Sequence, residues 1–522
     1  MLFTSYEFIG FIFALAILYY VFPKKLQWML LLLFSYLFYW IANPIYLIYI
    51  AVTTVTIWGC GRMIERNFAT QSEYLKANKE SLTKEEKKAY KNRKKSARGR
   101  WLLLGVLVNL GILAVVKYTD FIVGIFTGKG LGFMDLAVPM GISFYTFQAI
   151  GYLIDVKRGT VKAEKNLFKF ALFVSFFPQL VQGPISRFGD LSQTLYAEHR
   201  FDWTNVSYGI ERIMWGFFKK LIIADRVAPA VNVLISDVSV YHGAYAFVGM
   251  VLYTLELYAD FTGGIDVTIG VAQMLGIRVT ENFNRPYFST SLKEYWRRWH
   301  ITMCQWFREF VFYPVSTSKA IQGLAKFSRK HFGDNIGKKL PVYVSTFVVW
   351  FATGIWHGAS WNFIVWGLLN WLILMVSEEL EPLYDRFHSK FRFSNTIGYR
   401  IFMGLRTLLL ICVLNMFDCY VSVSETFHAF LTMFTSANYS IFTTGELLNL
   451  GVSALDYIIL LCGVLVMLIV SMVQVKGSVR DQIAAKPYPV RFVIWFALFL
   501  VILLVGAYGI GYDSSQFIYN RF

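Results

Sequence analysis

The chain alternates between long apolar runs and short polar or basic connections, and few of its runs show the one-faced pattern of a soluble domain. Phe8 to Phe22, Trp28 to Ile41, Trp101 to Val116, Asp456 to Val473 and Phe492 to Ile510 approach or reach the roughly 20 apolar residues a helix needs to cross a bilayer. Such runs predict about eleven or twelve crossings. From Val138 to Pro286 the pattern is broken by Pro139, Gly141, Gly151, Pro178, Gly183, Pro184, Gly263 and Gly264. Broken or re-entrant helices lining a cavity are expected there, because irregular backbone survives at membrane depth only where protein or water satisfies it. No internal repeat supports the inverted-repeat plan of many transporters.

Composition fixes the class. The 522 residues are 56% hydrophobic and only 16% charged, which excludes an ordinary soluble globule and leaves an all-α polytopic membrane protein. The first segment has no basic region ahead of it and no small-residue cleavage site, so it reads as a retained helix. Cys60, Cys304, Cys412, Cys419 and Cys462 lack metal-like spacing and predict neither a disulfide framework nor a metal site.

The net charge of +17 is concentrated: between Lys76 and Arg100 eleven Lys or Arg face three Glu. With no aromatic interleaving, that segment reads as a cytoplasmic loop touching anionic lipid, and no nucleic-acid partner is expected. Three apolar segments precede it, and Lys24-Lys25 follows the first, which places the N-terminus outside. Lys476, Arg480, Lys486 and Arg491 likewise mark a cytoplasmic loop before the last apolar run, so the C-terminus is expected outside as well. The expected location is the plasma membrane.

Candidate chemistry starts from His357. It lies in Gly354-Ile355-Trp356-His357-Gly358-Ala359-Ser360-Trp361, inside a 36-residue run from Pro341 to Val376 without Asp, Glu, Lys or Arg. An ionisable side chain held in membrane is expensive and reads first as a functional site, though a histidine tying two helices together has the same signature. The flanking small residues allow backbone or a ligand to approach the ring. Basic residues precede the run (Lys319 to Lys339) and follow it (Arg386 to Arg392), so it should be a hairpin with both ends cytoplasmic. Its turn would hold His357 about 20 Å or more from the cytoplasmic end.

A second histidine sits on a predicted helix from Ser289 to Tyr313, after a polar loop Glu281 to Tyr287. Lys293, Arg297, His300, Cys304 and Arg308 would form a polar stripe beside an aromatic one of Trp296, Trp299, Met303, Trp306 and Phe310. Such a helix suits a membrane interface. Neighbouring positive charge would keep His300 neutral, and the arginines would suit the phosphates of an acyl carrier or coenzyme.

These strings resemble the membrane-bound O-acyltransferases, in particular the bacterial branch of alginate O-acetylases and teichoic-acid D-alanyl transferases. The resemblance rests on Val138-Pro139-Met140-Gly141-Ile142-Ser143-Phe144-Tyr145-Thr146-Phe147-Gln148, Phe177-Pro178-Gln179-Leu180-Val181-Gln182-Gly183-Pro184, Tyr258-Ala259-Asp260-Phe261-Thr262-Gly263, Asn282-Phe283-Asn284-Arg285-Pro286-Tyr287, Trp296-Arg297-Arg298-Trp299-His300 and Trp356-His357-Gly358. It covers most of the chain up to about Trp371. It implies transmembrane and re-entrant helices around a central funnel or tunnel, with His357 matching the catalytic histidine and His300 a second active-site position. The implied organisation is N-terminal helices over 1–62, a basic cytoplasmic loop over 63–100, a catalytic core over 101–378, C-terminal helices over 379–510 and an extracytoplasmic tail over 511–522.

Phe517-Ile518-Tyr519-Asn520-Arg521-Phe522 resembles the C-terminal motif of a small partner in teichoic-acid D-alanylation, so Tyr519 is either an acyl relay or an interfacial aromatic anchor. Arg297, Arg298, Asn282, Asn284, Asp260, Gln148, Gln179 and Gln182 are candidate substrate-binding residues. Asp260 would either pair with a cation or histidine or cap the Gly263-Gly264 turn, and the glutamines would either line a polar tunnel or satisfy broken-helix backbone. The function implied is O-acetylation of an exported cell-envelope polysaccharide, with acetyl-CoA or another acyl thioester as cytoplasmic donor and no tightly bound cofactor. An extracytoplasmic acyltransferase or polysaccharide-biosynthesis protein and lipids are the expected partners. D-alanyl transfer to teichoic acid and a non-enzymatic channel or transporter are the alternatives.

Overall fold

A computed structural model of the protein describes residues 3–128 and 139–508. Among them every regular element is a helix, and eight helices are long and apolar enough to cross a membrane. The remaining apolar sequence takes other forms. Tyr6–Val21 has 16 residues, and the broken middle yields the short helices Leu167–Ser175, Phe177–Leu180 and Phe188–Leu195. Ala244–Met274, by contrast, runs unbroken for 31 residues through Gly263 and Gly264, so the turn expected there is absent.

The chain divides into two compact units, residues 1–209 with 271–280, and residues 210–270 with 281–522. In the first, Gln27–Ala42, Tyr46–Ala77, Ile142–Arg158 and Leu167–Ser175 pack around buried Phe38, Tyr39, Ile57, Leu153, Phe170 and Phe173. The basic segment is a helical pair and not an irregular loop. The 44-residue helix Lys84–Thr127 begins with a capping box, Thr83 Oγ1 accepting from Glu86 N at 3.2 Å while Thr83 N donates to Glu86 Oε2 at 2.8 Å. At ~1.5 Å per residue this helix is about twice as long as a bilayer core is thick, so its charged first turns stand outside the membrane. They pair with Tyr46–Ala77 through Tyr74 stacked on Tyr90 at 4.1 Å and the Arg98 guanidinium 4.0 Å over Phe68.

The second unit buries several of its charges as pairs. A π-helical stretch, Phe218–Ala224, carries Lys219 and Lys220 inward from the end of Trp203–Phe217. Lys220 Nζ lies 2.6 Å from Asp260 and 2.8 Å from Asp225, and Lys219 pairs with Asp266. Asp260 is thus a cation partner and caps no turn. Arg212 bridges Asp266 (2.5 Å) to Glu281 (2.8 Å), fixing the point where the chain enters the 281–288 loop. Arg226 bonds Asp456 and the Val505 carbonyl, closing the end of the last helix, Tyr488–Val505.

Candidate active site

The uncharged run folds as the expected hairpin: Asp334–His357 ascends, three residues turn, and Trp361–Glu379 returns. His357 is the last residue of the first arm. Glycine makes the crossing possible, since a Cβ on Gly354 would stand 2.5 Å from the Phe363 carbonyl oxygen and one on Gly367 2.5 Å from that of Trp350. Gly354 therefore serves close approach of backbone to backbone, whereas Gly358 makes room for the Phe363 ring, 2.2 Å from where a Cβ would stand. Aromatic rings define the half-buried imidazole: Trp366 lies edge-on at 4.7 Å, Trp356 at 4.9 Å, and Phe363 is stacked at 6.2 Å between centroids.

His300 reaches the same place by a different route. The single helix expected over Ser289–Tyr313 does not form: Leu292–Arg298 ends, Trp299 is extended, His300 is left-handed (φ 48°), and Ile301–Phe307 begins anew. The polar stripe drawn across that span is thereby split. Arg297 is exposed and Arg298 is held by Glu294 at 2.6 Å, whereas His300 is fully buried.

The break has a local cause in Asn282. Its carbonyl accepts from Ile301 N at 2.9 Å, and its side-chain oxygen accepts from Thr302 N at 3.0 Å and Thr302 Oγ1 at 2.9 Å. A partner from outside thus takes the bonds an uninterrupted helix would make itself. Asn284 contributes backbone only, its N–H donating to the Arg298 carbonyl at 2.9 Å.

The same contacts set the tautomer of His300. Because Oδ1 of Asn282 serves Thr302, the amide nitrogen faces His300 Nδ1 at 3.3 Å. An amide N–H donates, so Nδ1 accepts and the single ring proton sits on Nε2. Burial holds this imidazole neutral, its pKa pushed well below the ordinary range. The cause differs from the one expected, since the rings around His300 are Phe261 (5.1 Å), Trp356 (5.8 Å) and Phe283 (6.5 Å) and not arginines.

One indole therefore touches both histidines. Trp356 lies 5.8 Å from His300 and 4.9 Å from His357 between ring centroids, edge-on to both. A tryptophan cluster joins the short helix Leu292–Arg298 to the hairpin, with Trp296 Nε1 donating to Asn370 Oδ1 at 3.1 Å and its ring 4.9 Å from Trp350 and 5.6 Å from Trp366. Thr302, Trp366 and Asn370 went unnoticed in the sequence, where they look like ordinary helix residues, and Trp356 was read only as part of the Trp356-His357-Gly358 string. The Trp-His pairing at 356–357, mirrored by Trp299-His300, was the available signal.

Of the other candidates, Asp260 lies in the same unit, one residue before the Phe261 ring that packs on His300. Gln148, Gln179 and Gln182 belong to the first unit, and Gln148 Nε2 donates to the Phe173 carbonyl at 2.7 Å. Tyr519 lies outside the described residues, as does Val138 at the start of its motif. Among the described residues no group of His, Cys, Asp and Glu could hold a metal ion.

Two imidazoles thus meet one indole, and one of them ends the first arm of an uncharged hairpin. Residues 162–329 and 330–420 match the membrane-bound O-acyltransferase family. The chain belongs to that family. Among membrane-bound O-acyltransferases it is 35% identical over 375 residues to the "Probable alginate O-acetylase AlgI" of Azotobacter vinelandii, covering 70% of this chain and 66% of that protein. It is 30% identical over 317 residues to the "Peptidoglycan O-acetyltransferase" of Helicobacter pylori, covering 55% and 57% of the two chains. To the "Teichoic acid D-alanyltransferase" of Bacillus subtilis it is 26% identical over 311 residues, covering 55% and 69%. The chain covers just under two thirds of the alginate O-acetylase it matches.

Proposed function

We propose that this membrane-bound O-acyltransferase moves an acetyl group from a cytoplasmic acyl thioester, acetyl-CoA as the first choice, toward the O-acetylation of an exported cell-envelope polysaccharide. The observation that carries the reading is the His300–Trp356–His357 arrangement, which brings two imidazoles to one indole among aromatic rings. The alginate and peptidoglycan O-acetyltransferase relatives favour acetyl over the D-alanyl group of the more distant relative.

His357 acts as the general base. It takes the proton of an attacking hydroxyl as that oxygen bonds to the thioester carbonyl carbon; the C–S bond then breaks and the leaving thiolate takes that proton from the imidazolium. Such help is worth roughly 10²–10⁴ in rate. His300, with its proton on Nε2, is the complementary donor to the carbonyl oxygen as negative charge develops there. Arg297, exposed on the helix that precedes His300, is the candidate contact for donor phosphate.

The attacking hydroxyl is assigned to Tyr519, which then passes the acetyl group to an acceptor through a separate extracytoplasmic transferase. Charge distribution supports this route, since the basic residues before the last apolar run favour a C-terminal tail outside. Purified protein is incubated with labelled acetyl-CoA and its C-terminal peptide examined by mass spectrometry. Label on Tyr519 that is lost in both Tyr519→Phe and His357→Ala is expected; transfer to polymer that persists in Tyr519→Phe removes the relay, and persistence in His357→Ala removes the base.

A further inference from the structure

The first unit contains a second set of polar groups that the proposed chemistry does not use. Gln179 and Gln182 are buried, at 4% and 0% exposure, and neither the nitrogen nor the oxygen of either side-chain amide makes a hydrogen bond among the described residues. Tyr145 Oη, Ser175 Oγ and Ser186 Oγ are buried in the same condition. Buried amides and hydroxyls are nearly always paired, because an unmade bond carries the full desolvation cost of the group. Five such side chains in one short stretch and the helix packed on it mark a place built for a polar guest.

Geometry brings them together. Gln179 N donates to the Phe176 carbonyl at 3.0 Å and Gly183 N to the Gln179 carbonyl at 2.9 Å, so one helical turn runs through both glutamines and puts residues three apart on one face. Ser175 ends the preceding helix and Ser186 follows the turn. The start of Ile142–Arg158, which carries Tyr145, is pressed against this turn: Gly141 is left-handed (φ 72°), and a Cβ there would fall 1.7 Å from the Leu180 carbonyl oxygen. No Asp, Glu, Lys or Arg occurs from Phe170 to Ser186 or from Ile142 to Ile154, so the complementary guest is uncharged. Carboxamides and hydroxyls both donate and accept, which matches a chain of hydroxyls and secondary amides.

We propose that Gln179, Gln182, Tyr145, Ser175 and Ser186 form a binding site for an uncharged, hydroxyl- or amide-bearing segment of a substrate. Two sources share that chemistry: the pantetheine arm of an acyl thioester and a neutral stretch of glycan. Only this choice of sources rests on the acyl-transfer reading; the site itself stands on the unpaired groups.

The test uses the full chain in lipid nanodiscs, with pantetheine and cellotetraose as probes and both the dissociation constant and the thermal midpoint as readouts. One probe is expected to bind and raise the midpoint of the unaltered protein, pantetheine indicating the donor and cellotetraose the glycan. The double variant Gln179→Leu with Gln182→Leu should bind that probe at least tenfold more weakly while its own midpoint stays level or rises, since leucine needs no partner. Tyr145→Phe, which deletes a single oxygen, should weaken the same probe at least threefold and carries the test if the leucine pair does not fold. Binding of neither probe, or unchanged affinity in these variants, overturns the site. His357→Ala separates the two ideas: it should lose acyl transfer and keep probe binding.

Discussion

Replacing Asn282 by alanine removes the side chain that breaks the helix at His300. Its oxygen accepts from Thr302 N and Oγ1 at 3.0 and 2.9 Å, and its nitrogen meets His300 Nδ1 at 3.3 Å, all in a fully buried setting. Each buried group deprived of a partner costs about 1–3 kcal/mol. His300 is also held in a left-handed conformation that costs a non-glycine residue about 1–3 kcal/mol and persists only while its surroundings impose it. Three groups lose a partner, a local loss on the order of 3–9 kcal/mol, and relief of the strain returns about 1–3 kcal/mol when residues 299–302 relax toward continuous helix.

That relaxation swings the imidazole away from Trp356 and frees Nδ1 to carry the proton. Loss of one well-aimed donor to developing negative charge costs roughly 10²–10³ in rate. Acetyl transfer should fall by about that factor, and amide hydrogen exchange should quicken at residues 300–304 while the Asp334–His357 helix stays protected. Transfer within threefold of the unaltered protein, with unchanged exchange at 300–304, would refute both the tautomer assignment and the role of the break.

Three further outcomes follow from the same geometry. Gly354→Ala places a methyl 2.5 Å from the Phe363 carbonyl oxygen, so the hairpin should lose about 1–3 kcal/mol, read as a lower thermal midpoint together with reduced transfer. Asp260→Asn removes one of the two carboxylates paired with buried Lys220; because breaking a buried pair costs up to about 3–5 kcal/mol, the midpoint should drop more than for any exposed ion-pair variant such as Lys293→Ala. Arg297→Ala should raise KM for acetyl-CoA about tenfold with little change in kcat, as expected for a charge-assisted bond made equally in ground and transition states.

The sequence by itself determined the class, the hairpin and the identity of its histidine. Apolar run lengths depend only on bilayer thickness, and a 36-residue run without charge between two basic clusters admits little but a helix pair turning near Trp356-His357-Gly358. The pairing of Asp260 was open in the sequence because its partner, Lys220, is forty residues away, and only packing decides whether a carboxylate finds a cation or caps a turn.

Tertiary structure alone decided the second histidine. Local pattern favours an unbroken helix through His300, and its charged neighbours look like its environment. Asn282, eighteen residues upstream, instead supplies acceptors that pay for a break, turns the ring from the arginines into a pocket of Phe261, Phe283 and Trp356, and fixes which nitrogen holds the proton. Periodicity describes what a segment does with its own backbone bonds; it is silent where those bonds are taken up by a distant side chain.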